Sequence, residues 1–270
     1  MYRFLAAVLI ASASVSAQSD PDGYAAAEAP SPAYSASASR VDAAPAYYVT
    51  ARDVALRASP AGRADVLATL QPRDGVRVLE EAGPPADGFA AGWRRVRYGG
   101  LEGYVRAAEL SNLWIRVDKS DRMVYVYRGS SLIRELPADV AVSAEDKVRR
   151  SARGEDDHYR IPEGVFFVTR RNDRSAYYRA FVISYPGPVH ALRGFRDGII
   201  TQDQYEAIVR ADQDGVEPPM NTRLGGLIEI HGSGSGRQRA WTRGCVALRN
   251  VHMDELWEYV GVGTPVVIEP

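Results

Sequence analysis

One cysteine, Cys245, and four histidines are all that 270 residues supply of the most chemically versatile side chains. A lone thiol cannot form an internal disulfide, so no disulfide framework holds this chain together. An excess of charge of either sign is also missing, the balance being −1, which offers no basic field for nucleic acid. A lysine is missing where a phosphate-cradling loop would need one, because the glycine-rich run Gly232 to Gly236 lacks it, and this argues against nucleotide binding. Long apolar runs are absent as well. The stretch Phe4 to Ile10 falls well short of the roughly twenty residues that a membrane-spanning helix requires, and nothing later in the chain is longer or more apolar.

That short run has another reading. Met1 to Ala17 carries one arginine near its start, then the apolar core, then Val15-Ser16-Ala17 as a small-residue cleavage site, which together predict a secretory signal peptide over residues 1–17. No cysteine follows to carry a lipid anchor. Residues 18–46 are rich in Ala, Ser and Pro with little large apolar content, a composition that predicts a disordered tether. The expected location is therefore the periplasm or the cell exterior.

From Tyr47 to Ser111 the chain changes character. Short alternating runs, Val54 to Pro60, Val66 to Leu70, Gly75 to Glu80, Gly92 to Arg97 and Gly103 to Val105, are separated by Gly, Pro and Asp turns, as in a small all-β barrel. Trp93 and Tyr104 read first as core residues of that barrel, with a ligand groove as the alternative. Residues 112–270 are long enough for a further domain with its own core. Trp114–Asp118 and Arg122–Gly129 alternate around Lys119-Ser120-Asp121 and predict a hairpin. Phe166–Arg170 and Phe181–Tyr185 predict two more strands. Thr201 with Gln204 predicts a capped helix ending near Gly215, and Asn250 is expected to cap another that stops at Gly261. The fold class expected is mainly β with a few helices.

The chemistry concentrates between Ile230 and Asn250. Leu227 to Ile230 alternates like a strand, which presents His231 at a strand end, and Gly232 lets another segment approach its ring closely. Cys245 follows Gly244 after a polar spacer. A thiol is a weak nucleophile until a base or a positive charge favours the thiolate, so Cys245 and His231 form the smallest apparatus for covalent acyl transfer. A tight turn at Gly244 could aim the Gly244 and Cys245 amides at one point, as an oxyanion hole requires. Gly232, through its carbonyl, or Ser233, through its hydroxyl, could take the other imidazole proton as third member of a triad. The competing reading is an inert buried thiol and a structural histidine. Arg243 stands two residues from the thiol, where it could lower the thiol pKa, hold a substrate carboxylate, or merely be solvated. Glu155 to His158 superficially suggests a metal site, but neighbouring strand residues point to opposite faces and no second histidine follows at ligand spacing; a polar loop is expected, and no metal or other cofactor.

His231-Gly232, thirteen residues between His231 and Cys245, and Trp241-Thr242-Arg243-Gly244-Cys245-Val246-Ala247 resemble the active-site signature of the YkuD-type L,D-transpeptidases. The resemblance runs from about Leu113 to Glu269 and takes in Arg160 to Gly164, Ile183 to Pro186, Asn221 to Gly226 and the closing Gly263 to Ile268. Arg243 stands where most of that family carries histidine, and Ala247 where many carry arginine. This variant looks like the branch that includes enzymes hydrolysing a lipoprotein from peptidoglycan. The barrel segment, through Leu56-Arg57-x-Ser59-Pro60, Gly92-Trp93-x-x-Val96 and Gly103-Tyr104-Val105, resembles the bacterial SH3 family, which implies binding to wall peptide or docking on the second domain. Together the resemblances imply an SH3-like barrel, residues 47–111, ahead of a YkuD-type β-sandwich, residues 112–270. They imply stem peptides of peptidoglycan as substrate, with an envelope lipoprotein as a further partner in the hydrolase reading. Cys245 and His231 are then the catalytic residues, with Thr242, Arg243, Tyr185 and His190 as substrate contacts. On the residues alone, transpeptidase, same-fold hydrolase and non-catalytic wall-binding protein all stay open.

Overall fold

A computed structural model describes residues 47–79, 92–149 and 159–270. The signal-peptide and tether readings, and the segment Glu155 to His158, lie outside the described residues. Among the described residues no helix is long and apolar enough to cross a membrane.

The first unit is built from strands β1 (Tyr47–Val49), β2 (Val54–Arg57), β3 (Val66–Leu70), β4 (Gly75–Val78), β5 (Trp93–Tyr98), β6 (Leu101–Arg106) and β7 (Leu110–Ser111), in the sheet order β3-β2-β6-β5-β4-β1-β7. Period-two alternation decides which side chains turn inward. Val49, Val54, Leu56, Leu70, Val76, Val96 and Val105 meet in one core. Gly103 is needed where β6 crosses β2, since a Cβ there would lie 2.7 Å from the Arg57 carbonyl. Trp93 and Tyr104 fall on the other phase of the alternation. Both are half-buried and outside the core, which corrects the core reading; the Arg106 guanidinium sits 5.2 Å above the Trp93 ring.

Two contacts tie this unit to the C-terminal one. The Tyr48 hydroxyl donates to the Leu113 carbonyl at 2.8 Å. Arg73, in a left-handed turn between β3 and β4, stacks 3.8 Å over the Phe167 ring and pairs with Asp212 at 3.4 Å.

The second unit continues with β8 (Leu113–Asp118), β9 (Met123–Arg128), β10 (Ser131–Pro137), β11 (Val140–Ala141), β12 (Gly164–Ser175), β13 (Tyr178–Ile183), helices α1 (Pro188–Arg196) and α2 (Gln202–Asp214), β14 (Glu229–His231), β15 (Ala240–Thr242), β16 (Val246–Ala247), α3 (Asn250–Trp257) and β17 (Pro265–Glu269). Eight strands form one sheet in the order β10-β9-β8-β17-β12-β13-β14-β16, and β11 pairs with β15 separately. The architecture is mainly β, with large sheets and three α-helices among the described residues.

The predicted hairpin is β8–β9, paired from Leu113↔Arg128 to Asp118↔Met123. Its turn is closed by the Asp118 carboxylate, which accepts from the Ser120 hydroxyl and the Asp121 amide at 2.8 and 2.9 Å, the local bonding that makes Asp a turn former. The helix over 202–214 has the expected capping box, Thr201 with Gln204, and ends on left-handed Gly215. Helix α1 is an addition. Its Pro188 occupies the first turn, where a missing N–H costs nothing, so Pro186-Gly187-Pro188 begins a helix where the sequence suggests only a loop. Asn250 is a correction: it is the first residue of α3, the N-cap is Arg249, and no side chain caps it.

Candidate functional site

Alternation splits the sheet around β14 into two faces. Ile230, Phe181 and Val246 point into the main core with Met253 and Leu256 of α3. Their neighbours point the other way. His231 is registered against Ala247 in the parallel pair β14–β16; one pleat earlier on each strand stand Glu229 and Cys245. Side chains two apart share a face, so Glu229 and His231 project together from β14, and Cys245 enters β16 beside them, its thiol within reach of the Glu229 amide. Pairing of two short strands thus unites residues that the sequence separates by a loop.

His231 is buried at 2 % exposure. Its Nδ1–H donates to the Gly232 carbonyl at 2.7 Å, which leaves the Nε2 lone pair open. Of the two partners considered for that proton, the Gly232 carbonyl takes it, while Ser233 is exposed and offers its backbone N–H to Asn250 Oδ1 at 2.7 Å. Gly232 must be glycine for a steric reason: a Cβ there would lie 2.7 Å from Asn250 Oδ1 and 2.9 Å from the Tyr177 carbonyl. Asn250 therefore anchors the turn after the histidine, a task more specific than the capping expected of it. Tyr177 stacks on the imidazole at 4.5 Å, and Trp241 stands edge-on at 6.2 Å. Burial pushes the His231 pKa below its ordinary value, so the ring is neutral near pH 7 and able to accept a proton.

Cys245 is half-buried, with Sγ 3.7 Å from the Leu227 carbonyl. Gly244, at φ +123°, makes the turn that delivers it, and a Cβ there would lie 2.9 Å from the Arg160 carbonyl. Among the described residues no backbone acceptor engages the Gly244 or Cys245 amide. The buried Thr242 places its hydroxyl on the Cys245 carbonyl at 2.6 Å, so it shapes the cysteine turn and has no surface for a substrate. Burial pushes the thiol up to about 12; the Glu229 amide lowers it, the negative charge of the Glu229 carboxylate raises it again, and the positive charge of Lys147 counters only in part. Lys147, not Arg243, is the cation that acts on the sulfur, and Arg243 is exposed. The reading of Arg243 as a thiol activator is corrected accordingly.

The remaining substrate-contact candidates lie elsewhere. Tyr185 is fully buried with its hydroxyl on the Leu224 carbonyl at 3.0 Å. His190 is buried too, stacked on Phe166 at 5.3 Å with Nε2 at 3.0 Å from the Glu163 carbonyl. Desolvation takes its pKa down to about 4. Both side chains hold the segment that comes after β13.

Sequence reasoning missed Asp139. Fully buried, it accepts from the Ser235 amide and hydroxyl, both at 2.7 Å, the Arg239 amide at 2.9 Å and the Trp241 indole at 2.8 Å. Three positions of the loop between His231 and Cys245, namely Ser235, Arg239 and Trp241, are held by this one carboxylate. A signal existed: a lone acid within the apolar run Ala138-Asp139-Val140-Ala141 must be paired if buried. Tyr177, in the β12–β13 turn, carries no such signal.

The state of the thiol has a direct readout. Because the folded value lies far above neutral, the rate of Cys245 alkylation by iodoacetamide is expected to climb about tenfold per pH unit from pH 7 to pH 10 without levelling. A plateau already reached by pH 7 would instead reveal a standing thiolate–imidazolium pair.

Taken with its β-rich fold, this constellation defines a protein with a neutral imidazole on one strand, ringed by aromatic side chains, and a thiol leading into the strand paired with it. The chain belongs to the YkuD family of L,D-transpeptidase catalytic domains, whose model matches residues 112–268. No curated protein matches it. Similar solved structures include an L,D-transpeptidase from Xylanimonas cellulosilytica, 17 % identical over 58 % of this chain and 60 % of that one, TM-score 0.36. Bd1075 of Bdellovibrio bacteriovorus is 27 % identical over 59 % of this chain and 48 % of its own, TM-score 0.37. The helical cell shape determining protein Pgp2 of Campylobacter jejuni, as a mutant, is 22 % identical over 58 % and 46 %, TM-score 0.38. The chain thus spans three fifths or less of these relatives' lengths.

Proposed function

We propose that this chain is a peptidoglycan-modifying L,D-transpeptidase that works through a Cys245 acyl-enzyme in the cell envelope. The observation that carries the reading is the fixed tautomer of His231: Nδ1–H is held by the Gly232 carbonyl, which leaves Nε2 free to act as a base, on a strand paired with the one that Cys245 leads into. The thiol proton passes to Nε2 as sulfur attacks the carbonyl carbon of a stem peptide, and the Gly244 and Cys245 amides hold the oxyanion. The C–N bond then breaks, and the leaving amine takes the proton from His231. An acceptor amine attacks the thioester, gives a proton to Nε2, and forms a new amide as the sulfur departs and is reprotonated. With the thiol neutral at rest, proton transfer and attack are one event, and no charged pair has to be kept in a half-buried cleft. Arg243, exposed beside the cysteine, is suited to a substrate carboxylate.

A same-fold hydrolase differs only in the last step, with water in place of the amine; peptidoglycan cross-links or a lipoprotein–peptidoglycan bond are then the substrates. A non-catalytic wall-binding protein would have no need of an accessible thiol or an oriented imidazole. The test is mass spectrometry of the mature protein with a disaccharide-tetrapeptide and with cross-linked or protein-linked fragments. Cross-linked dimers support the transpeptidase; cleavage of linked fragments without dimers supports the hydrolase. Absence of both products and of any acyl adduct overturns the catalytic reading.

A further inference from the structure

Glu229 is the one charged side chain of β14, and neither the motif nor the transpeptidase mechanism uses it. Glu229 stands two residues from His231 on β14, and both its amide and its charge reach the Cys245 thiol; pairing with β13 places Val182, itself opposite Arg170, on its other side. Its row across the sheet therefore reads Arg170, Val182 and Glu229. Val182 is fully buried and offers no polar contact. Arg170 is already engaged by Glu217 at 3.1 Å, and Glu217 also receives the Thr169 hydroxyl at 3.3 Å. Among the described residues the Glu229 carboxylate has no hydrogen bond or ion pair of its own, although it is half-buried. A carboxylate partly withdrawn from water without a partner is costly, and burial raises its pKa accordingly. The side of the cleft next to it is apolar: Leu227, whose carbonyl faces Sγ at 3.7 Å, is 59 % exposed.

We infer that Glu229, with Leu227 beside it, is the seat of the acceptor, binding an ammonium carried on a methylene stem next to the acyl-enzyme. This rests on the transferase reading of the site. A single carboxylate with no second acid free at its side suits one cation of this kind and not a metal ion, which takes several oxygen ligands. The methylenes of a diamino-acid side chain cover Leu227 while its ammonium meets the carboxylate, the division that long basic side chains make. Water needs no such seat, so the group favours aminolysis over hydrolysis of the same thioester. To attack, the bound ammonium first gives one proton to the Glu229 carboxylate; the free amine then forms the new C–N bond, its second proton passing to Nε2 as the sulfur leaves. Glu229 thus sets acceptor occupancy and takes a proton that water, as acceptor, does not bring.

The experiment follows the acyl-enzyme formed by the full mature chain with a stem tetrapeptide donor, chased with a stem tripeptide that bears a free side-chain amine. Aminolysis and hydrolysis products are counted in the same reaction. Glu229→Gln is expected to raise the acceptor concentration for half-maximal aminolysis by at least about tenfold, with Glu229→Asp recovering part of it. An unmoved ratio of products in Glu229→Gln overturns the inference. Should that variant fail to acylate, the wild-type enzyme decides. An ammonium acceptor is expected to saturate at lower concentration than an aminooxy acceptor of the same length, which is uncharged at neutral pH; equal half-saturation overturns the proposal. If the wild-type chain forms no acyl-enzyme before any acceptor is added, the transferase reading itself fails and takes this one with it.

Discussion

Replacing Cys245 by alanine is expected to lower stem-peptide turnover by about 10⁴-fold or more while leaving the fold intact. The size comes from the proposed role: a nucleophile that forms the covalent intermediate cannot be bypassed by the groups around it, and the remaining rate is what binding and oxyanion donors provide alone. The intact fold comes from the contacts. Among the described residues Sγ hydrogen-bonds only with backbone groups, the Leu227 carbonyl at 3.7 Å and the Glu229 amide, and the turn that carries it is fixed from outside by Gly244 and by Thr242. Serine is the sharper substitution, because it keeps the shape while its hydroxyl is still less acidic than the thiol, already pushed up to about 12 by burial. Both variants are expected to unfold at the wild-type temperature and to form no acyl adduct by intact-mass measurement. A variant that keeps turnover within tenfold of wild type would remove Cys245 from the mechanism.

The neutral resting pair also explains why the site is walled as it is. Tyr177 and Trp241 flank the imidazole, and burial lowers its pKa, which under the proposed mechanism favours the neutral ring that a base requires. The same burial holds the thiol protonated. A site arranged this way has little charge to lose when a peptide fills it, and its reactivity waits for the donor carbonyl.

What could be read from the residues is what their neighbours in sequence decide. The turn at Asp118 and the capping box at Thr201 each depend on a few consecutive positions, so their residue types point to their structure, whereas Gly232 and Gly244 mark tight places without telling that Asn250, Tyr177 and Arg160 fill them. The placement of His231 and Cys245 was legible in the same local way as the turn and the cap, each standing at the edge of a short strand beside a glycine. What long-range packing decides was hidden. Nothing local tells that Tyr185 and His190 turn inward to the Leu224 and Glu163 carbonyls when the segment around them looks like an exposed loop. Asn250 has a cap's chemistry and a cap's position, but it binds the Ser233 amide across the chain. Lys147 reaches the thiol's surroundings from a distant loop, so the nearest cation in sequence, Arg243, was the wrong one to credit.

The second large effect is expected at Asp139, which touches neither the thiol nor the imidazole. Its backbone is paired with that of Ala247 in both directions at 2.8 Å, which fixes it to the strand that leaves Cys245. Its carboxylate accepts from Ser235, Arg239 and Trp241, which fixes the loop leaving His231 to the same point. Asp139→Ala is expected to cost about 3–5 kcal/mol, since it leaves several inward-pointing donors without an acceptor in a buried place, and to lower the unfolding temperature by roughly 10 °C. Asn is not a remedy. It keeps one acceptor oxygen but turns an NH₂ toward groups that are themselves donors. The pH dependence gives the matching signature. Burial alone would raise this carboxyl, but the amide, indole and hydroxyl donors outweigh it and hold it below the usual value. A folded value below the unfolded one means that the contribution is fully present above the ordinary aspartate value of about 4 and is lost as pH falls through the folded value. The gap in stability between wild type and Asp139→Asn is therefore expected to be constant from pH 7 down to about 5 and to narrow below about 4. Urea unfolding at a series of pH values measures it. A gap that stays constant down to about pH 3 would show that the carboxylate's charge contributes nothing, and that the loop is held by shape alone.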